Sequence, residues 1–284
     1  MSVIKAFILG LIQGISEFLP ISSSGHLSIA GYLMGMDPEA DNLLSFNILL
    51  HVATLAAVFI VYRKDIVEMI KAFFSMFGDL FKGKGLRLKE FLYRRLIVML
   101  IVGTLPAVVA ALFLGDIIEN PQLWQIGIFL IITAVLLYLS ERLSGGRIDL
   151  ENMSVKRALY VGCFQGLGTL PGISRSGSTI VGGLFSGLDK ATAVRFSFLL
   201  SIPAILGALV LDIKDMLSIQ AQALIYTPAS AAILPVAVGM LTAAVSGYFS
   251  IKFLLRIVEK SKLSYFSIYC IAAGIFAIIL NFTM

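Results

Sequence analysis

Charge is scarce in this chain: Asp, Glu, Lys and Arg make up 14% of 284 residues, against 58% hydrophobic ones. Mean hydropathy is +0.96. A soluble domain carries roughly a quarter charged residues, so that class is excluded and an integral membrane protein is implied. Cysteine is nearly absent. Cys163 and Cys270 lie in separate apolar runs with no CxxC spacing, which excludes a disulfide framework and a thiolate metal site and leaves both as packing residues. A P-loop is excluded as well. Gly78 to Lys84 (GDLFKGK) starts like one, but Gly85 stands where Ser or Thr is required and no strand precedes it. Nothing recommends nucleic acid as a partner. Lys5 and the short apolar run around it mimic a signal peptide, yet the run leads straight into a polar motif, so no cleavage is expected.

What is present is a duplication. QGISEFLPISSSGH at 13–26 and QGLGTLPGISRSGST at 165–179 lie 152 residues apart, and each precedes a similar apolar run, FNILLHV at 46–52 and FSFLLSI at 196–202. Apolar runs long enough to cross a bilayer core of about 30 Å are centred on 43–62, 96–115, 123–139, 193–211, 231–251 and 263–282. The pieces at 3–15, 26–36, 157–167 and 180–188 are shorter and flank the two polar motifs. They read as two hairpins that enter the bilayer and return, since broken backbone at membrane depth must be covered by protein or a wet cavity. Four short complete spans, ten in all, are the alternative. Pro106, Pro203 and Pro235 are expected to kink spans, and Trp124 to join an interfacial belt.

The expected fold is an all-α polytopic membrane protein, a single domain over 1–284, built from repeats at about 1–145 and 153–284. Each repeat has a re-entrant helical hairpin plus three transmembrane helices. That number of crossings is odd, so the second repeat is inverted. Segments 63–95, 141–157, 188–195 and 252–262 hold 19 of the 22 Lys and Arg, whereas 37–42 and 114–121 hold none. The positive-inside rule makes 63–95 a basic cytoplasmic loop and places both termini outside. The net charge of +5 is then mainly topogenic, although the basic loop could also rest on anionic lipid.

Few charges remain within the membrane: Glu17, Arg175, Lys5 near a helix end and Arg195 at a span edge. Burying Glu17 or Arg175 costs roughly 2.5–3.5 kcal/mol, so each needs a partner or a water-filled cavity. A structural ion pair would satisfy both. Around them, however, stand Ser22, Ser23, Ser24, Gly25 and His26 on one tip and Ser174, Ser176, Gly177, Ser178 and Thr179 on the other. Ser and Gly ahead of an apolar run signal a helix N-terminus, and two N-termini directed into one cavity attract an anion. Arg175 adds a fork suited to phosphate oxygens. Glu17 could hold a magnesium-like cation or take a proton, and His26 could shuttle one. Ser22, Ser23 or Ser24 could be a nucleophile or could orient water. Asn47 and His51, inside a full span, read as packing or an interhelical hydrogen bond.

With both motifs in order over its full length, the chain resembles the undecaprenyl-diphosphate phosphatase family, integral membrane enzymes linked to bacitracin resistance. The resemblance implies removal of the terminal phosphate from undecaprenyl or another polyprenyl diphosphate, at the outer face of the bacterial plasma membrane, regenerating the lipid carrier for cell-wall synthesis. It implies a divalent cation, Mg or Ca. It makes Glu17 the acidic catalytic residue and possible metal ligand, Ser23 and His26 its hydrolytic partners, and Arg175 the diphosphate clamp. Gln13, Ser22, Ser24, Ser174, Ser176, Gly177 and Thr179 support the substrate. Where many members carry a first glutamate this chain has Gln13, which cannot act as a base. The rival reading is a secondary transporter or flippase of a lipid phosphate or other anion, which shares the inverted-repeat outline but needs no nucleophile. Gly182 and Gly183 suit helix contacts within or between subunits, so a homo-oligomer is compatible.

Overall fold

A computed structural model describes residues 1–36, 43–114, 121–143, 145–222, 233–259 and 263–283, with side chains described outside 43–45, 143, 211–222 and 259. Among these residues the secondary structure is helical: α1 (Val3–Phe18), α2 (Ser23–Leu33), α3 (Leu43–Val61), α4 (Arg63–Phe81), α5 (Leu92–Phe113), α6 (Leu123–Leu143), α7 (Val155–Leu167), α8 (Arg175–Phe185), α9 (Lys190–Gln222), α10 (Ile233–Glu259) and α11 (Ser264–Thr283). Five helices, α5, α6, α9, α10 and α11, are long and apolar enough to cross a membrane. The sixth expected span, α3, meets that test together with α4, which leaves it at 88°. The chain is a multi-pass membrane protein.

Helix starts follow from hydroxyl caps. Ser2 accepts from the Lys5 amide at 3.2 Å and Ser154 from the Arg157 amide at 3.4 Å, each satisfying one of the amides a helix leaves free at its N-terminus. Lys5 Nζ donates to the Met34 carbonyl at 3.0 Å, tying the N-terminal end of α1 to the C-terminal end of α2. Pro106 and Pro203 lie inside α5 and α9. Pro235 corrects the expectation of a kink: it sits in the first turn of α10, where its missing N–H leaves no helical bond unmade.

The connection expected as a basic loop at 63–95 is mostly helix. In α4, Ile70, Phe73, Phe74, Phe77, Leu80 and Phe81 are exposed, while Asp65 at its start is buried against Arg195 of α9. Its apolar residues recur at helical spacing, and that is why 63–81 coils instead of looping. Arg94 Nη2 reaches Asp79 Oδ2 at 2.8 Å and fixes the far end of α4 to α5.

Packing brings backbones close where side chains vanish. An added Cβ at Gly10 of α1 would lie 2.3 Å from the Gly239 carbonyl oxygen of α10; at Gly162 of α7 it would lie 2.4 Å from that of Gly103 in α5. Gly127 of α6 and Gly274 of α11 meet reciprocally, at 2.6 Å each way. Gly182 and Gly183 pack against Phe164 and Ala193, so they serve contacts within the chain. Cys270 is buried, but Cys163 is exposed on the bundle exterior, against the expectation of packing. Phe18, Ile180, Val181, Phe196 and Phe198 belong to the largest core cluster, and it lies directly under the two polar motifs.

A charged centre where two helical hairpins meet

Both motifs form turns closed by a capped helix. Ser22 caps α2 by accepting from the Gly25 amide at 3.3 Å, and Ser174 caps α8 by accepting from the Gly177 amide at 3.1 Å. Ser22 does so at φ 71°, a left-handed conformation that costs a non-glycine residue energy and persists where surroundings hold it. In the second turn the corresponding freedom is supplied by Gly172, φ +103°.

The two tips exchange bonds. Ser24 Oγ accepts from the Gly172 amide at 3.4 Å, and Ser176 Oγ donates to the Leu19 carbonyl at 3.2 Å. Ser24 and Ser176 are 152 residues apart, so the same motif position makes both cross-ties. Thr133 of α6 adds a third: its Oγ1 accepts from the Ser174 amide at 3.0 Å and donates to the Gly172 carbonyl at 3.3 Å.

Between the tips lies Glu17, its side chain 3% exposed. Oε1 pairs with the Arg175 guanidinium. Oε2 accepts from Ser23 Oγ at 2.6 Å and Gln13 Nε2 at 3.0 Å, and His51 Nε2 stands 3.4 Å away. One carboxylate thus gathers side chains from α1, α2, α3 and α8, which answers the requirement that a buried charge be paired and hydrogen-bonded. Above it opens a cavity of about 1130 Å³. Its floor is polar, with Ser22, Ser23, Ser24, Asn47, His51, Ser174 and Arg175; its upper walls are apolar, with Leu27, Ile48, Val52, Val108, Ala111, Leu123, Ala204 and Ala208.

Of the residues singled out from sequence, Glu17, Ser22, Ser23, Ser24, Ser174 and Arg175 line this cavity. Gln13 lies behind Glu17 and supports it. Ser176 and Gly177 are spent on the tip contacts, and Thr179 Oγ1 donates to the Arg175 carbonyl at 2.8 Å. His26 is not brought to Glu17: Nδ1 meets the Ser22 carbonyl at 2.7 Å and Nε2 the Tyr269 hydroxyl at 2.7 Å. His51, read from sequence as packing or an interhelical hydrogen bond, makes an interhelical contact, and its partner is the carboxylate itself. Its Nδ1 donates to the Asn47 carbonyl at 2.8 Å, which leaves Nε2 for the cavity. Gln165, Thr169 and Thr104 were also missed. The duplication held the signal for two of them, since Gln165 and Thr169 stand 152 residues after Gln13 and Glu17. Gln165 is 1% exposed and its Oε1 has no hydrogen-bond partner among the described residues.

The fold and this centre define a multi-pass membrane protein whose single paired acid and guanidinium sit at the meeting point of two helical hairpins, beneath a cavity that is polar below and apolar above. Residues 6–276 match the family model described as "Bacitracin resistance protein BacA", and the chain belongs to that family. It is 44% identical to the undecaprenyl-diphosphatase of Alkaliphilus metalliredigens (strain QYMF) over 283 residues, 99% of each chain. It is 42% identical to that of Methanosphaera stadtmanae over 287 residues, again 99% of each. The undecaprenyl-diphosphatase of Treponema denticola is 42% identical over 277 residues, 97% of this chain and 96% of its own.

Proposed function

We propose that the protein hydrolyses undecaprenyl or another polyprenyl diphosphate to the lipid monophosphate and inorganic phosphate, and so recycles the carrier for cell-wall synthesis and confers bacitracin resistance. The observation that carries this reading is the contact of Glu17 with Ser23 and Arg175 at the floor of a cavity with both polar and apolar walls. The names of the relatives agree with it.

Arg175 and the free amides at the starts of α2 and α8 neutralise the phosphate oxygens. Such neutralisation is most of what phosphoryl transfer asks of a protein. The attacking oxygen is that of Ser23 or of a water held in its place. It gives its proton to Glu17 Oε2, forms the new P–O bond, and the bond to the bridging oxygen breaks, leaving lipid monophosphate. With Ser23 as nucleophile, water then cleaves the phosphoserine. His51 faces the same carboxylate oxygen and orients it. Arg175 must exchange part of its contact with Glu17 for the substrate, which a cavity-facing guanidinium 22% exposed can do.

A divalent cation, Mg or Ca, belongs to this reading. Among the described residues no group of three or more His, Cys, Asp or Glu converges. A single carboxylate together with substrate phosphates is an ordinary way to hold magnesium, and Glu17 fits that role. The cation, when bound, supplies further neutralisation of the phosphate oxygens.

We also infer that the bundle is built from two inverted repeats with re-entrant hairpins. The pairing of helices supports this: α1 of the first hairpin packs on α10 and α7 of the second on α5, while α6 and α11 pack on each other. A two-fold exchange of halves maps these pairs onto one another, close glycine contacts included. Cavity-lining residues such as Tyr32, Leu112 and Pro121 lie at helix ends that adjoin the Lys- and Arg-poor connections 37–42 and 114–121. The site therefore opens outward, on the side of both termini.

The test is phosphate release from a polyprenyl diphosphate by purified protein, with and without magnesium or calcium, beside Glu17→Gln and Arg175→Lys. Cation-dependent release lost in both variants is expected. Coupled flux without phosphate release from folded wild-type protein would instead establish a transporter.

A further inference from the structure

We propose that Tyr269 of α11 is a positioning residue for the hydrolytic site, and that it acts through His26 to hold the Ser22–Ser23 turn; His26 is the middle of a tether rather than a proton carrier. The proposal rests on the hydrolytic reading of the Glu17, Ser23 and Arg175 centre.

The carbonyl partner and a neutral ring together assign the bonds. A backbone carbonyl only accepts, so His26 Nδ1 carries the hydrogen in its 2.7 Å contact with the Ser22 carbonyl. In the neutral ring Nε2 is left as an acceptor, and the Tyr269 hydroxyl donates to it across 2.7 Å. The two rings stack at 5.5 Å with planes 10° apart. Both ring nitrogens are thereby engaged, and neither meets Glu17, Ser23 or Arg175. Nor does His26 line the cavity. A proton shuttle needs a ring nitrogen within reach of the proton it moves, and this ring faces the other way.

What the tether holds is the strained point of the site. Ser22 is one of two described non-glycine residues with positive φ, and its carbonyl is met both by the His26 side chain and, at 3.2 Å, by the His26 amide. The next residue is Ser23, whose hydroxyl must stay 2.6 Å from Glu17. A neighbouring contact of α11 acts on the same turn: Cys270 Sγ donates to the Pro20 carbonyl at 3.6 Å. The second tip shows the same device made from other residues. There Thr133 of α6 bridges the Gly172 carbonyl and the Ser174 amide, and Ser178, the counterpart of His26, makes no bond through Oγ among the described residues. Each tip is thus tied to one of the two helices, α6 and α11, that pack on each other, and the polar tie is His26–Tyr269 at the first and Thr133 at the second.

The test compares Tyr269→Phe, His26→Asn, His26→Ala and the double variant Tyr269→Phe/His26→Ala. Asparagine places its Nδ2 where Nδ1 stands and keeps the bond to Ser22. Tyr269→Phe is expected to lower kcat by about tenfold to a hundredfold, the effect of a misplaced reacting group, with KM little changed and the shape of the pH profile preserved. His26→Asn should retain more activity than His26→Ala, and the double variant should be no worse than His26→Ala. Hydrogen exchange in detergent gives an arm independent of turnover: Tyr269→Phe and His26→Ala should speed exchange at 19–26 and leave 170–179 unchanged. Wild-type kcat in Tyr269→Phe, or His26→Asn as inactive as His26→Ala with one limb of the pH profile gone, would overturn the tether. So would unaltered exchange at 19–26, even if wild-type protein released no phosphate and the hydrolytic reading itself failed.

Discussion

Glu17 uses both carboxylate oxygens, so its neighbours are coupled and no single one can be removed cleanly. Arg175→Ala strands a buried carboxylate, which costs up to about 3–5 kcal/mol; the 22% exposure of the Arg175 side chain places the loss at the low end. Glu17→Gln keeps the shape and removes the base. Activity is expected to fall by about a hundredfold to ten-thousandfold, and unfolding in detergent should move to lower temperature, because the new amide NH₂ must face either the Arg175 guanidinium or the donors Ser23 and Gln13. The double variant Glu17→Gln/Arg175→Met should recover the stability lost in Arg175→Ala, yet release no phosphate. The acid and the guanidinium were legible in the sequence because charge is rare there and each sat in a polar motif. His51 was not, for a lone histidine in an apolar run looks like packing. Its meaning depends on α3 crossing beside the end of α1, a long-range contact that spacing does not encode. The direction of the His26 ring was not legible either: its place beside Ser-Ser-Ser-Gly suggested chemistry, and α2 turns the ring toward Tyr269 of α11.

Whole helices carry the next set of consequences. The α1–α10 contact depends on Gly10, where a Cβ would stand 2.3 Å from the Gly239 carbonyl oxygen. Gly10→Val must push the helices apart, and overpacking of that kind costs about 1–3 kcal/mol; a lower unfolding temperature in detergent is the expected reading. At the far end of α4, the hydrogen bond from Arg94 is the first cause holding the Asp79 carboxyl below its ordinary range, against an opposing desolvation cost, with Arg87 and Lys84 adding to it. A carboxyl depressed in the folded state contributes stability above its unfolded value of about 3.9. That contribution is lost as pH falls through the folded value. Protection at 75–95, taken as exchange relative to the intrinsic rate at each pH, should therefore fall as pH drops below that unfolded value, and Asp79→Asn should show the lower protection already at pH 7. The long apolar helices were readable from their runs. Helix α4 was not, because the basic 63–95 segment around it reads as a loop and its apolar face emerges only when the residues are wound at 3.6 per turn.

At the scale of the whole molecule, the cavity joins a charged floor to an apolar outlet, and the two can be separated by experiment. Gly207 of α9 lines the cavity, with no described residue within 4 Å of where a Cβ would be. Gly207→Phe would fill space that a long isoprenoid needs and a short one does not. Its kcat/KM for a C55 diphosphate should fall by about tenfold or more, the scale of a few misfitted methylenes, while farnesyl diphosphate is turned over nearly as in the wild type. Equal loss on both substrates would place the tail elsewhere. The duplication was visible as a 152-residue offset. How its halves clasp was not, since which helix of one half receives the hairpin of the other is set by close glycine contacts between distant segments.

That offset also sets Glu17 against Thr169 and Ser23 against Arg175, so the acid is absent from one half and the cation from the other. Two equal halves would present a diphosphate with two interchangeable seats. Here the seats differ in sign, and a head group can lie only one way round. If the proposed diphosphate lies between these two seats, the divergence of two positions is what makes its two ends unequal there.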